Sequence, residues 1–256
     1  MGEHSRREFL KGMAAAAAGA VVLGEGCAVE PTLEGVEARE EREYVEPAGI
    51  ENFRDLSGGV LIITANEAEE TGVMLTLRDR SRKREEREAG AGFTFDKRGV
   101  LNRAIGKADI LNGDQVESQQ VPIVIANAED WGNEDLQKRI GDEHFAMIQL
   151  RGHTDDMPVL YELARDKMSP HATVLFGGCR GAKKIPEYYD PNHPIIADTG
   201  TGESAVNTYI LMRVIDEIGT CENWEELYVR LEENADLGSL GIVAPGGPGY
   251  EQLATK

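Results

Sequence analysis

Cysteine is scarce in this chain: three residues in 256, Cys27, Cys179 and Cys221. That excludes a disulfide-dense scaffold. Positive charge is also short. Lys and Arg total 27 against 46 Asp and Glu, a formal net charge of −19. Nucleic acid needs a basic footprint, so it is excluded as the main partner. An anionic membrane surface is disfavoured on the same ground. No run of 18 apolar residues occurs, so the sequence offers no ordinary spanning helix. It also lacks a Gly-rich phosphate loop ending in Lys-Ser or Lys-Thr, a Gly-x-Ser-x-Gly elbow and an internal repeat. His171 and His193 read as loop residues before strands with no metal-ligand spacing to each other, and no metal or other cofactor is expected. What remains is 41% hydrophobic, an ordinary globular composition, at a length that buries a full core.

The first residues differ from the rest. Ser5-Arg6-Arg7-Glu8-Phe9-Leu10-Lys11 resembles the twin-arginine export signal, and an Ala-rich apolar stretch comes next, from Gly12 to Leu23. That stretch is too short to span but suits a signal peptide. Cys27 comes after Gly26 in Leu23-Gly24-Glu25-Gly26, which resembles a lipoprotein cleavage box. Leu23 lies one place too far upstream and Glu25 puts a charge inside it. Either Cys27 is lipidated, making a membrane-anchored lipoprotein, or ordinary cleavage nearby releases a periplasmic or extracellular protein. Residues 1–27 hold three basic and three acidic residues, so the −19 belongs to residues 28–256. Residues 28–56 carry nine acidic and three basic residues with Pro31 and Pro47, and read as an acidic tether.

Residues 57–256 read as one α/β domain. Short apolar runs at 60–64, 122–126, 145–150, 172–176 and 194–197 are buried strands by type. Helical spacing covers 158–167, 203–219 and 223–234, the last with Asn223 as N-cap and Glu226 three residues on. This alternation predicts a three-layer fold, a mainly parallel sheet with helices on both faces. Residues 67–121 read as a charged helix plus a surface excursion. The Gly/Pro-rich stretch 244–249 reads as a loop or tail.

In such sheets ligands bind at the carboxyl ends of the strands. One strand runs into Arg151-Gly152-His153-Thr154 and the next into Gly177-Gly178-Cys179-Arg180-Gly181. The 25 residues between His153 and Cys179 hold one helix and two turns. A right-handed crossover sets the two strands parallel, with both side chains at one edge. A thiol near an imidazole is the minimal apparatus of covalent acyl transfer. Taken singly, each residue has a blander reading: a turn-bridging His, and a small buried Cys. Cys179 and Cys221 would also suit a disulfide in an exported protein.

Ile148-Gln-Leu-Arg-Gly-His153 and Val174-Leu-Phe-Gly-Gly-Cys-Arg-Gly181 resemble the caspase-like cysteine peptidases, the group of separase, gingipain and legumain types. The resemblance implies a caspase-like fold with His153 as acid/base and Cys179 as nucleophile, acting on a peptide or protein substrate. It also implies oxyanion donors among the backbone N–H groups of Gly152, Thr154 and Gly178. Three departures stand out: Thr154 follows the His where Gly is usual, Gly178 precedes the Cys where caspases have Ala, and the His-to-Cys spacing is short. A catalytically silent peptide- or partner-binding protein on the same fold therefore stays open. Asp155 and Asp156 would attract a basic substrate side chain, or cap the helix that begins near Pro158. Arg180 would suit an acidic one. Asp198-Thr199-Gly200 resembles the turn of aspartic peptidases, but those need two such turns and this chain has one. As a strand-to-helix loop, with Thr201 as N-cap, it places Asp198 and Thr199 on the same cleft.

Overall fold

Continuous runs of apolar residues build the centre of the sheet because both of its faces are covered. The computed structural model describes residues 44–87, 94–98, 101–112, 115–200, 204–233 and 241–255. All lie in one unit, residues 41–256. The strands are β1 (Val60–Thr64), β2 (Thr94–Arg98), β3 (Leu101–Asn112), β4 (Gln115–Asn127), β5 (Phe145–Gly152), β6 (Met168–Gly178), β7 (Ile195–Asp198) and β8 (Ile242–Val243). They form one eight-stranded sheet in the order β2-β3-β4-β1-β5-β6-β7-β8. The five central strands, β4 to β7 in that order, run parallel. The outer pairings β2–β3, β3–β4 and β7–β8 are antiparallel.

Alternate residues of each buried strand enter different cores, as the pleat requires. On one face Val60, Ile62, Met147, Leu175 and Ile196 pack with α1 (Glu67–Arg87), α5 (Ser204–Glu217) and α6 (Trp224–Glu232). On the other, Leu61, Ile63, Ile148, Leu150, Val174 and Phe176 pack with four helices. These are α2 (Glu134–Ile140), α3 (Met157–Arg165), α4 (Ile185–Tyr188) and α7 (Tyr250–Ala254). The α/β, three-layer, mainly parallel architecture is the one the sequence predicts.

Local chemistry fixes the element ends. The Asn223 side chain accepts the Glu226 N–H (2.8 Å) at the start of α6, as expected. Gly59 opens β1 at φ +76, with the space for its Cβ only 2.6 Å from the Pro122 carbonyl. The Tyr250 hydroxyl accepts the Ile195 N–H (3.0 Å), tying α7 to the start of β7.

Three readings change. The charged helix expected after residue 67 is α1, but the surface excursion is not one: β2, β3 and the first half of β4 extend the sheet by antiparallel pairing. His171 lies inside β6 rather than in a loop, edge-on to Phe53 with ring centroids 5.6 Å apart. The expected tether, residues 28–56, is described only from Tyr44 onward, and there it packs on the domain. Ile50, Phe53 and Leu56 are buried in the core, and the Trp224 indole N–H donates to the Ala48 carbonyl (2.8 Å). Stretch 244–249 is a turn linking β8 to α7. Residues 1–27, with Cys27, and Thr201 lie outside the described residues.

Candidate functional site

The geometry that matters lies where β5 and β6 end side by side. Their register pairs Arg151 with Gly177 and Gly152 with Gly178. The next residue on each strand is His153 and Cys179, so both leave the sheet at one level on neighbouring parallel strands. The fit between the two ends is tight. A Cβ on Gly178 would stand 2.9 Å from the Gly152 carbonyl and 3.0 Å from Met157 Cε. The Thr154 hydroxyl donates to the Cys179 carbonyl, lacing the two turns together. His153 is exposed and Cys179 half-buried.

Each turn is held by its own backbone. After β5, a 3-10 turn (Thr154–Asp156) leads into α3. The Asp156 carboxylate accepts the His153 N–H (2.7 Å), and the Asp156 N–H donates to the His153 carbonyl (2.9 Å). Asp156 is thereby engaged as a capping residue, while Asp155 is exposed. After β6, Arg180 takes the left-handed conformation (φ 56, ψ 39), rare for a residue with a side chain. Its N–H donates to the Gly200 carbonyl (2.7 Å), which joins the turn after Cys179 to the loop after β7. Gly181 must be glycine-like in size: a Cβ there would stand 2.6 Å from the Phe176 carbonyl. The Arg180 side chain and Thr199 are exposed. Asp198 is not: it is 1% exposed. Burial pushes its carboxyl up to about 6, against the opposing pull of the Gly200 N–H and the Arg151 guanidinium.

Arg151 is a residue that sequence reasoning misses. It is 1% exposed and sits at the end of β5 on the α1/α5 face. Nη1 donates to the Gly177 carbonyl (2.8 Å) and Nη2 meets Glu69 of α1 (3.0 Å). The same Gly177 carbonyl accepts the Asn207 side chain (3.1 Å), and the Asn207 carbonyl accepts Gln149 (2.7 Å). In register across the sheet end stand Asn127, Thr64 and Arg151, all buried. The signal is present in the sequence. Gln149 and Arg151 are polar at period two in an otherwise apolar strand. Asn207 falls on the face of α5 that also carries Leu211 and Val214.

Cys179 and Cys221 both keep their thiols and are not bridged to each other, so the disulfide expectation is not met. Burial pushes the Cys221 thiol up to about 11. His193 is bound locally, Nδ1 to Asp190 (3.0 Å) and Nε2 to the Ser169 carbonyl (3.1 Å). Among the described residues no group of three or more His, Cys, Asp or Glu is arranged to hold a metal ion. No helix among them is long and apolar enough to cross a membrane.

One family model matches, that of the TAT (twin-arginine translocation) pathway signal sequence, over residues 3–22. The chain thus carries a signal for export across the membrane. No curated protein and no solved structure matches it.

Proposed function

We propose that the exported domain is a cysteine peptidase of caspase-like type, working through His153 and Cys179 without a cofactor. The observation that carries this is the Gly152–Gly178 register, after which an exposed histidine and a half-buried cysteine leave the same edge of adjacent parallel strands. The sharp left-handed turn at Arg180 and the close approach at Gly178 support it, because strain and crowding of this kind collect at functional sites.

In the first half of the reaction His153 accepts the thiol proton, and Cys179 Sγ forms a bond to the substrate carbonyl carbon. The carbonyl oxygen becomes an oxyanion, for which the N–H groups of Gly152, Thr154 and Gly178 are the candidate donors. The C–N bond breaks and His153 returns the proton to the leaving amine. Water then adds to the thioester, His153 takes its proton, and the C–S bond breaks to release the acid and restore the thiol. The substrate is a peptide or protein. Asp155, Arg180 and Thr199 line the exposed rim, where they would meet its side chains.

The test uses the exported form with peptides bearing Arg, Lys, Asp, Asn or Leu before the cleaved bond. Cleavage of at least one, abolished by Cys179→Ala and cut about 100-fold or more by His153→Ala, is the expected result. A Cys179 that alkylates no faster than Cys221, at a rate indifferent to His153→Ala, sinks the proposal. A reactive Cys179 with no cleavage of any peptide would point to a binding protein on this site. We also propose a lipid anchor at Cys27, with ordinary cleavage nearby as the alternative outcome of the test. The intact mass of the exported protein, beside that of Cys27→Ser, reads it directly.

A further inference from the structure

A buried guanidinium keeps its charge at neutral pH, and burying it is costly unless its N–H groups are met. Arg151 meets this requirement in a particular way. Its stem and Nη1 fill the space a side chain on Gly177 would take: a Cβ there would stand 2.8 Å from Arg151 Cδ and 2.9 Å from Nη1. Nη1 holds the Gly177 carbonyl, two residues before Cys179, and the Asn207 side chain donates to the same oxygen. Nη2 is taken by Glu69, and Nε has no partner. Burial works against the charge on Arg151. Glu69 opposes that most, followed by Asp198 and the Cys179 thiolate. The carbonyl it holds lies two residues before Cys179, so the fixed positive charge stands close to the thiol. Glu69 is the one anion in direct contact with it among the described residues, and it offsets part of the charge Cys179 would otherwise feel. The charged groups facing the guanidinium are thus Glu69 from α1, Asp198 at the end of β7 and Cys179 beyond β6. Thr64 and Asn127 in the same row are uncharged.

We propose that Arg151 is a positioning residue for Cys179, clamping the Gly177 carbonyl and presenting to the thiolate a positive charge that Glu69 moderates. This rests on the reading of Cys179 as the nucleophile. It makes Glu69, which lies 110 positions before Cys179 in the sequence, a determinant of the reactivity of that thiol.

The experiment is the rate of Cys179 alkylation by iodoacetamide from about pH 5 to 10 on the full exported chain, with peptide mapping to separate Cys221. Glu69→Gln leaves the clamp in place and removes the moderating charge. Its rate-against-pH midpoint should move to lower pH, with a rate at about pH 6 roughly threefold higher or more. Arg151→Met should move the midpoint to higher pH and cut that rate about tenfold. Arg151→Lys should keep the midpoint nearer to wild type than Arg151→Met does. A purely structural role would slow all three without opposite shifts. Slowing in both Glu69→Gln and Arg151→Met, or an unmoved midpoint in both, overturns the inference if wild-type Cys179 still depends on His153. If the Arg151 variants fail to fold by circular dichroism, Glu69→Gln alone decides, and an unmoved midpoint there overturns it. If wild-type Cys179 is unreactive or indifferent to His153→Ala, the nucleophile reading falls and this inference falls with it.

Discussion

Asp198 is a costly residue in this fold. A carboxylate taken from water favours its protonated form, and burial outweighs the opposing pull of the Gly200 N–H and Arg151, which is why its carboxyl is pushed up to about 6. The folded state therefore holds this proton more tightly than the unfolded chain, whose Asp titrates near about 4. Below about pH 4 both states are protonated and nothing is lost. Between about pH 4 and 6 the unfolded state ionises first and stability falls. Above about pH 6 the full penalty applies, of order 2–3 kcal/mol. Asp198→Asn cannot ionise. The stability difference between variant and wild type should thus shift in favour of the variant by roughly that amount from about pH 4 to 7, read by urea unfolding. A difference independent of pH would mean that the carboxyl titrates normally when folded. Sequence alone could place Asp198 at a strand end, as an acidic residue closing Ile195-Ile-Ala, but not the depth of its burial. That comes from the packing of the sheet end, where Arg151, 47 positions earlier in the chain, is the charge that acts on it.

At the level of elements, the buried strands were the legible part. Val60–Thr64, Phe145–Gly152 and the second half of β6 are buried without interruption because helices cover both of their faces. The hairpin of β2 and β3 was not legible. Leu101–Asn112 mixes Asn, Arg, Gly, Lys and Asp among its apolar residues and shows neither a continuous run nor a clean alternation. Its strand character comes from twelve paired positions against β4 rather than from local preference. The strand ends beside the candidate dyad carry a sharper signature, glycine at Gly152 and Gly178, whose meaning appears only when β5 and β6 lie together. Gly178→Ala should cost about 1–3 kcal/mol. Met157 Cε can swing away from the new methyl group, but the Gly152 carbonyl is fixed in the ladder. The strands would part at the level of Cys179. The variant should thus lose urea midpoint and also alkylate Cys179 more slowly. A loss of stability with unchanged alkylation would show that the end of β6 relaxes without moving the thiol.

On the scale of the whole molecule, charge is the largest uncompensated quantity. The net −19 lies entirely in the chain after Cys27, and the few basic residues placed by the structure are mostly engaged with local partners. Arg151 meets Glu69, Lys184 meets Glu187, Arg213 and Arg230 share Glu217, and Arg230 also meets Glu226. These pairs leave the remaining acidic residues to repel one another across the surface. Self-repulsion of that kind destabilises the compact state and is screened by salt. The Debye length shrinks from about 30 Å at 0.01 M to about 8 Å at 0.15 M, from roughly the size of the domain to the spacing of neighbouring side chains. The thermal midpoint of the exported form at about pH 7.5 should therefore rise between those two concentrations of sodium chloride. It should rise equally with sodium nitrate, because screening does not depend on which monovalent anion is present. At pH 4.7, near the isoelectric point, the rise should vanish. A midpoint that falls with salt would mean that the surface ion pairs outweigh the repulsion, and that the acidity of this chain is neutralised locally.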